Sequence, residues 1–268
     1  MHPVLFHVGR LTLHTYGLLV ATGVLLGLWL ARRQAARAGL DPERVWNLGI
    51  YMVLAALVGA KLWLVVVDWS YYVAHPGEIF SFGTLLSGGV YYGGFLTAFV
   101  VALFYARHFR LRFLPLADVY AAPLALGHAI GRLGCFAAGC CYGKPTALPW
   151  GVTFSDPYAR ELVGTPLGIP LHPTQLYESA AEFLIFVFLV FLGRRQRFTG
   201  QLFAAYAMLY GLGRGIIEFF RGDPDRTLFA GDAFSLMQVV SVALIALGVT
   251  LLLRGRAQSV PRPATPRN

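Results

Sequence analysis

Gly131-Arg132-Leu133-Gly134-Cys135-Phe136-Ala137-Ala138-Gly139-Cys140-Cys141-Tyr142-Gly143-Lys144-Pro145 closes a long apolar run that begins at Leu114. A run of that length is a candidate membrane helix, and this stretch is where the helix leaves the bilayer. It holds an arginine at the edge of the run, all three cysteines of the chain and four glycines. An arginine at that depth is costly unless an anion meets it. Glycines let backbone approach backbone, or a ligand. The stretch therefore reads as one wall of a site for an anionic lipid headgroup.

The rest of the composition agrees. The 268 residues are 57% hydrophobic and 13% charged, with a mean hydropathy of +0.61. That balance requires several membrane spans. The net charge of +9 does not point to nucleic acid, because no basic run lies on a polar, foldable segment. In a membrane protein such an excess marks arginine-rich cytoplasmic loops. The first apolar run ends in Ala31-Arg32-Arg33 with no small-residue cleavage site, so it is expected to be a permanent helix. Three cysteines within seven residues are not a disulfide framework.

Outward from the opening stretch, the expected fold is an all-α membrane protein of about seven transmembrane helices. The spans are Tyr16–Ala31, Trp46–Val67, Gly88–Tyr105, Leu114–Gly134, Pro173–Leu192, Gly200–Phe220 and Phe234–Leu253. Residues 68–86 suit a short interfacial helix. The polar, Pro- and Gly-rich segment 142–172 suits a small extracytoplasmic head. The tail 255–268 has the composition of a disordered segment. A single polytopic domain, 1–268, is expected. Arginines gather at 32–37, 44, 107–112, 194–197 and 254–267. The opposite loops hold only Arg10, Lys144, Arg160, Arg221 and Arg226. The arginine-rich set is therefore cytoplasmic, with the N-terminus outside and the C-terminus inside.

This orientation sets the depth of three cations. Lys61 lies ~22 Å along the second span and Arg214 ~21 Å along the sixth, at about 1.5 Å per residue. Arg132 lies near the outer end of the fourth. All three fall in the outer half of a hydrocarbon layer about 30 Å thick. Tyr16, Tyr91, Tyr92, His172 and Glu178 begin inward-going spans and share that level. Two guanidiniums bind a phosphate through charge-assisted hydrogen bonds, and the abundant phosphate at that depth belongs to a phospholipid. If the phosphate is a leaving group, the same arginines stabilise its developing charge. The structural alternatives are ion pairs: Arg214 with Glu218 at i, i+4, and Glu178 or Glu182 with Lys61 or Arg132. His128 reads as a core histidine on a packed face.

With these residues placed, the sequence resembles the prolipoprotein diacylglyceryl transferase family along nearly its whole length. The matching blocks run in order. They are Leu13-His14-Thr15-Tyr16-Gly17-Leu18, Ser87-Gly88-Gly89-Val90-Tyr91-Tyr92-Gly93-Gly94, the opening stretch itself, and His172-Pro173-Thr174-Gln175-Leu176-Tyr177-Glu178. Tyr210-Gly211, Arg214, Glu218-Phe219-Phe220-Arg221, Pro224-Asp225 and Ser235 to Gln238 complete the pattern. The resemblance implies an enzyme that moves the diacylglyceryl group of phosphatidylglycerol to the lipobox cysteine thiol of preprolipoproteins, with release of glycerol phosphate. It implies a bacterial inner-membrane location, a site facing the periplasmic side, a monomer, and no metal or cofactor. Arg132 and Arg214 would hold the phosphate, Tyr16 would contact the headgroup, and Glu218 and Arg221 would hold the site around Arg214. Gly143 would matter because backbone passes close there.

The chain departs from better-known members at three positions. Cys135 stands where they carry asparagine, Cys140 where they carry glutamate, and Tyr92 where they carry a histidine proposed as the base. Tyr92 is thus one candidate for proton transfer, and a thiol at Cys135 or Cys140 beside a guanidinium is another. Two other classes stay open. One is a thiol-dependent transferase or redox protein using Cys135, Cys140 and Cys141. The other is a phospholipid carrier without chemistry. The cysteines also suit plain packing at a helix end, and a zinc site lacks a fourth ligand at motif spacing.

Overall fold

Apolar runs of this length form helices because the backbone then satisfies its own hydrogen bonds, as it must in lipid. The computed structural model describes residues 3–8, 11–81, 89–224, 227–229 and 234–259. Arg10, Ser87, Gly88, Asp225, Arg226, Arg262 and Arg267, which enter the sequence reading, lie outside the described residues. The long helices are α1 (Thr15–Arg37), α2 (Pro42–Val67), α4 (Tyr91–His108), α5 (Phe113–Ala138), α7 (Thr174–Gly193), α8 (Gln201–Ile217) and α9 (Leu236–Ser259). Short helices are α3 (Trp69–Ala74) and α6 (Pro157–Val163). Among the described residues, five helices, α1, α2, α5, α7 and α9, are long and apolar enough to cross a membrane. Their outer faces carry large exposed apolar side chains, among them Leu57, Leu184 and Val242, as lipid-facing helices do.

The chain forms two compact units, Met1–Leu30 with Ala117–Asn268, and Ala31–Leu116. In the second, Asp41 caps α2 by accepting hydrogen bonds from Glu43 N (2.9 Å) and Arg44 N (3.4 Å), with Pro42 at the first turn. Helices α2 and α4 cross so closely that neither Gly59 nor Gly93 has room for a Cβ. A Cβ on Gly93 would lie 2.9 Å from Gly59 O and 2.2 Å from the Trp63 Cβ. Val90 N donates to Ala60 O (3.1 Å), so the start of α4, with Tyr91 and Tyr92, lies beside Lys61 of α2.

In the first unit, α5, α7 and α8 close on a core of Ala121, Ala122, Ala125, Ile185, Leu189 and Leu202. The alanines of α5 let the helices approach. A buried carboxylate fixes one end of this assembly. Asp118 of α5 accepts from Gln196 Nε2 (2.7 Å), Gly200 N (2.6 Å) and Phe203 N (2.9 Å). It therefore caps α8 from another helix, where the dipole favours an anion. At the opposite end lies a small folded head. Strands β3 (Val152–Thr153) and β4 (Pro170–Leu171) pair antiparallel. Helix α6 is capped by Asp156, which accepts from Tyr158 N (3.0 Å). Tyr142, Phe154 and Leu171 form a separate apolar cluster. Ahead of α1, β1 (Val4–Val8) and β2 (Leu11–His14) form a hairpin, and His14 stacks on Tyr158 of the head at 5.7 Å. Beyond the 3-10 turn at Glu218–Phe220, β5 (Leu228–Phe229) pairs with β6 (Phe234–Ser235) just before α9.

Removing the Asp118 carboxylate leaves two backbone N–H groups without their acceptor. Asp118→Ala is expected to cost about 2–4 kcal/mol, since hydrogen bonds to a buried charge are lost together. A lowered Tm in detergent checks this; an unchanged Tm would mean that α8 needs no cap from α5.

Candidate active site

Three helices each bring charge to one place. On α5, His128, Arg132 and Cys135 follow the i, i+4, i+7 spacing of one helix face. On α7, Glu178 and Glu182 lie one turn apart, and both are buried. On α8, Arg214 is buried near the C-terminal end, with Glu218 one turn on. The point of convergence is Glu178 Oε1. Arg132 Nη2 lies 2.9 Å from it, Arg214 Nε 3.7 Å and His128 Nε2 3.4 Å. Arg132 Nε also donates to His128 Nε2 (3.1 Å), while His128 Nδ1 lies 3.3 Å from Glu182 Oε1. Arg214 Nη1 donates to Glu218 Oε2 (2.5 Å). Glu178 is 2% exposed and Arg214 6%, so these are charges taken out of solvent, stable only as a matched set.

The segment after α5 is held tightly against this cluster. Gln175 Nε2 donates to Cys140 O (2.7 Å), and Thr174 Oγ1 to Cys141 O (2.7 Å). Both side chains are fully buried at the start of α7. Thr165 Oγ1 donates to Gly139 O (3.0 Å). Cys141 adopts φ 61°, a conformation that non-glycine residues rarely take. Gly143 is then threaded between two backbones. Its N–H donates to His172 O (3.0 Å), Lys144 N donates to Phe220 O (2.8 Å), and His172 N to Lys144 O (3.0 Å). A Cβ there would fall 2.5 Å from His172 O and 2.8 Å from Phe220 O. The 142–145 strand thus ties the ends of α5, α7 and α8 together. Arg221 is placed beside it by the bridge Gly143↔Arg221, and its guanidinium makes two 2.6 Å bonds to the Asp223 carboxylate.

The sulfurs of Cys135, Cys140 and Cys141 lie within 4.8 Å of one another. Arg132 Nη1 approaches Cys135 Sγ at 4.0 Å. The Cys141 thiol, outside α5, is drawn below its ordinary pKa by hydrogen bonds with the Cys135 and Cys140 thiols, then by the charges of Arg132 and Arg221. The same sharing of hydrogens pushes the Cys140 thiol up.

The structure therefore brings together Arg132, Arg214, Glu218, Cys135, Cys140 and Gly143. Tyr16 joins them, since a Cβ on Gly134 would lie 3.3 Å from its Cδ2; the residue is 44% exposed. Arg221 pairs with Asp223, and Glu218 with Arg214. Tyr92 belongs to the second unit, in the first turn of α4, with its ring edge against Tyr91 at 5.7 Å. The sequence put Glu178 at the depth of the site and offered Glu178 or Glu182 as an ion-pair partner of Arg132, the pair now seen with Glu178, but it left His128 in the core. The signal was present in two i, i+4 pairs, His128 with Arg132 and Glu178 with Glu182. His172 has its own local partner: its Nδ1 lies 3.1 Å from Tyr177 Oη, which accepts from Trp150 Nε1 (2.8 Å).

Comparison with known proteins gives one consistent result. The family model for prolipoprotein diacylglyceryl transferase matches residues 3–254. A phosphatidylglycerol–prolipoprotein diacylglyceryl transferase of Clostridium tetani is 34% identical over 250 residues, covering 93% of this chain and 96% of its own. Proteins of the same name from Finegoldia magna and Thermosynechococcus vestitus are 34% and 38% identical. They cover 97% and 95% of this chain, and 98% and 93% of their own lengths.

The tight passage of Gly143 yields a direct expectation. Gly143→Ala forces backbone apart on two sides and should cost about 1–3 kcal/mol, the range for overpacking. Thermal unfolding in detergent, with proteolysis of the 139–172 segment, checks it. A variant with wild-type Tm and protection would show that the strand has room.

Proposed function

We propose, from the premise that this chain belongs to the prolipoprotein diacylglyceryl transferase family, that it performs the family's transfer. The diacylglyceryl group of phosphatidylglycerol passes to the lipobox cysteine thiol of a preprolipoprotein. A carbon–sulfur bond forms at the glyceryl carbon that bears the phosphate, the carbon–oxygen bond there breaks, and glycerol phosphate leaves. The protein is thus a membrane-bound transferase of lipoprotein biosynthesis.

One observation carries the assignment of roles. Arg132 and Arg214, from separate helices, converge on a single carboxylate oxygen. Two guanidiniums aimed at one point present a binding place for a phosphate oxygen, and they gain most where negative charge grows on the leaving group. Glu178, His128 and Glu218 hold the guanidiniums in position. Glu178 Oε2 and Glu182 Oε2 are buried without a hydrogen-bond partner among the described residues, and each is an acceptor suited to the headgroup hydroxyls. Tyr16, packed against Gly134, borders the same place. Within this unit, Cys135 and Cys140 are the candidates to receive the thiol proton.

The remaining features extend the reading. All seven long helices cross the bilayer, with the N-terminus outside and the arginine-rich ends in the cytoplasm. The site then lies at the outer leaflet of a bacterial inner membrane, lipid enters sideways, and the head at 142–172 receives the peptide. The chain acts as a monomer.

The test uses purified protein in detergent with phosphatidylglycerol and a lipobox peptide, following release of glycerol phosphate. Arg132→Ala and Arg214→Ala should each lower kcat by about 100-fold or more, the loss typical of a donor to a developing anion. Peptide-independent release, or full activity in both variants, would overturn the arginine assignment. No release from well-folded wild-type protein would remove the transferase and favour thiol chemistry or a carrier.

A second expectation separates holding from chemistry. Glu178→Gln keeps the shape but removes the charge that positions both guanidiniums. It should raise KM for phosphatidylglycerol as well as lower kcat. An effect on kcat alone would make Glu178 a direct participant and not a positioning residue.

A further inference from the structure

We propose that Cys135, Cys140 and Cys141 form a trigonal three-sulfur site for one soft monovalent cation, copper(I). The phosphate-binding reading gives these thiols no shared task, yet the fold gathers all three. Their sulfurs lie within 4.8 Å of one another. Three sulfurs around one ion at about 2.3 Å each stand about 4 Å apart in a plane. The cluster thus needs to close by less than about 1 Å, within reach of small side-chain rotations.

The backbone that carries the sulfurs is fixed from several sides. Cys135 sits in the last turn of α5. The carbonyls of Cys140 and Cys141 are each held by a fully buried side chain, Gln175 and Thr174. Cys141 is kept in the left-handed region at φ 61°, a costly conformation that persists only where surroundings impose it. A plain packing role for three small side chains needs none of this. A ligand site does, because an ion is held well only by donors already in place.

The donor set selects the ion. Thiolates exclude magnesium and calcium, which take oxygen. A closed zinc site is tetrahedral and needs a fourth protein ligand. Among the described residues, no histidine, aspartate or glutamate joins the three sulfurs. Soft thiolates without a fourth ligand match copper(I). Binding is a substitution with no electron transfer: each copper–sulfur bond forms as a thiol proton passes to solvent. The bound centre is anionic, and Arg132 Nη1, 4.0 Å from Cys135 Sγ, lies where it offsets that charge. A single disulfide would use two of the three sulfurs and leave the third without a purpose.

The test uses the full chain in detergent, reduced and anaerobic, after a thiol count has given three reactive cysteines per chain. Copper(I) is then titrated against a colorimetric copper(I) chelator. One copper(I) per chain is expected to survive the competition, with a sulfur-to-copper charge-transfer band in the ultraviolet. Cys135→Ser, Cys140→Ser and Cys141→Ser should each weaken retention by more than about 10-fold, the loss already seen on removing outer partners of metal ligands. Equimolar zinc should not displace the copper. Should a serine variant fail to fold, the wild type still decides: copper(I) must shield all three thiols from maleimide together. Several results would overturn the site. These are no retained copper in folded, reduced protein, equal retention by a folded triple-serine variant, tighter binding of zinc, or a disulfide that resists reduction and prevents the count of three. None of these readouts depends on transferase activity, so the proposal and the transferase reading fail separately.

Discussion

Glu178 is the residue on which the first unit's buried charge depends. Its Oε1 faces Arg132, Arg214 and His128 at once, and these come from α5 and α8 while Glu178 belongs to α7. Without that carboxylate, two guanidiniums would be buried within a few ångströms of one another. Breaking such a set by removing one partner costs about 3–5 kcal/mol in soluble proteins. A well-packed apolar replacement of the whole set would cost less. Burial of charge is thus poor evidence for stability and better evidence for a task that needs cations held in place.

The same three helices are tied a second time, by backbone. The strand through Gly143 bonds to His172 before α7 and to Phe220 after α8, while Thr174 and Gln175 hold the carbonyls of Cys141 and Cys140. The ends of α5, α7 and α8 are therefore fixed at their backbones, and the charged side chains project from a frame that does not rely on them. At the other end of α5, Asp118 anchors α8 through three hydrogen bonds. Helix α5 thus has one anchoring carboxylate pocket and one catalytic-looking cluster about 14 residues apart, or roughly 21 Å along its axis. The long helix sets the distance between them.

Much of this was legible in the sequence, and the reasons differ by element. Each of the seven apolar runs overlaps a long helix, and among the described residues five of these helices are long and apolar enough to cross a membrane. Their ends were less legible. Helix α1 continues through Arg32 and Arg33 to Arg37, since a charge that ends an apolar run need not end a helix. Helix α8 tightens into a 3-10 turn at Glu218, where the Arg214 pair is made. The hairpin at Val4–His14 and the paired strands of the head are too short to show a period. His128 was read as a packed core residue because its partners, Glu178 and Glu182, lie about 50 residues on, and spacing along one helix says nothing of a facing one. Asp118 gave no signal for the same reason: its partners are the turn and first residues of α8. The cysteines were visible as a group, but not the left-handed turn at Gly139 (φ 83°), just after α5, that lets Cys140 and Cys141 return toward Cys135.

Arginines matched to carboxylates still have donors for a phosphate. A guanidinium has five N–H donors. Arg214 donates Nη1 to Glu218 and sets Nε 3.7 Å from Glu178 Oε1, while Arg132 donates Nε to His128, points Nη1 at Cys135 Sγ (4.0 Å) and sets Nη2 2.9 Å from Glu178 Oε1. The carboxylates thus hold each fork by part of its donors and leave the remainder for a ligand oxygen. On the proposed reading, a phosphate arriving in a low-dielectric setting would share the two cations without displacing Glu178. Charge growing on that phosphate as its bond to carbon breaks would then meet donors already in place, the condition under which electrostatic stabilisation lowers a barrier most.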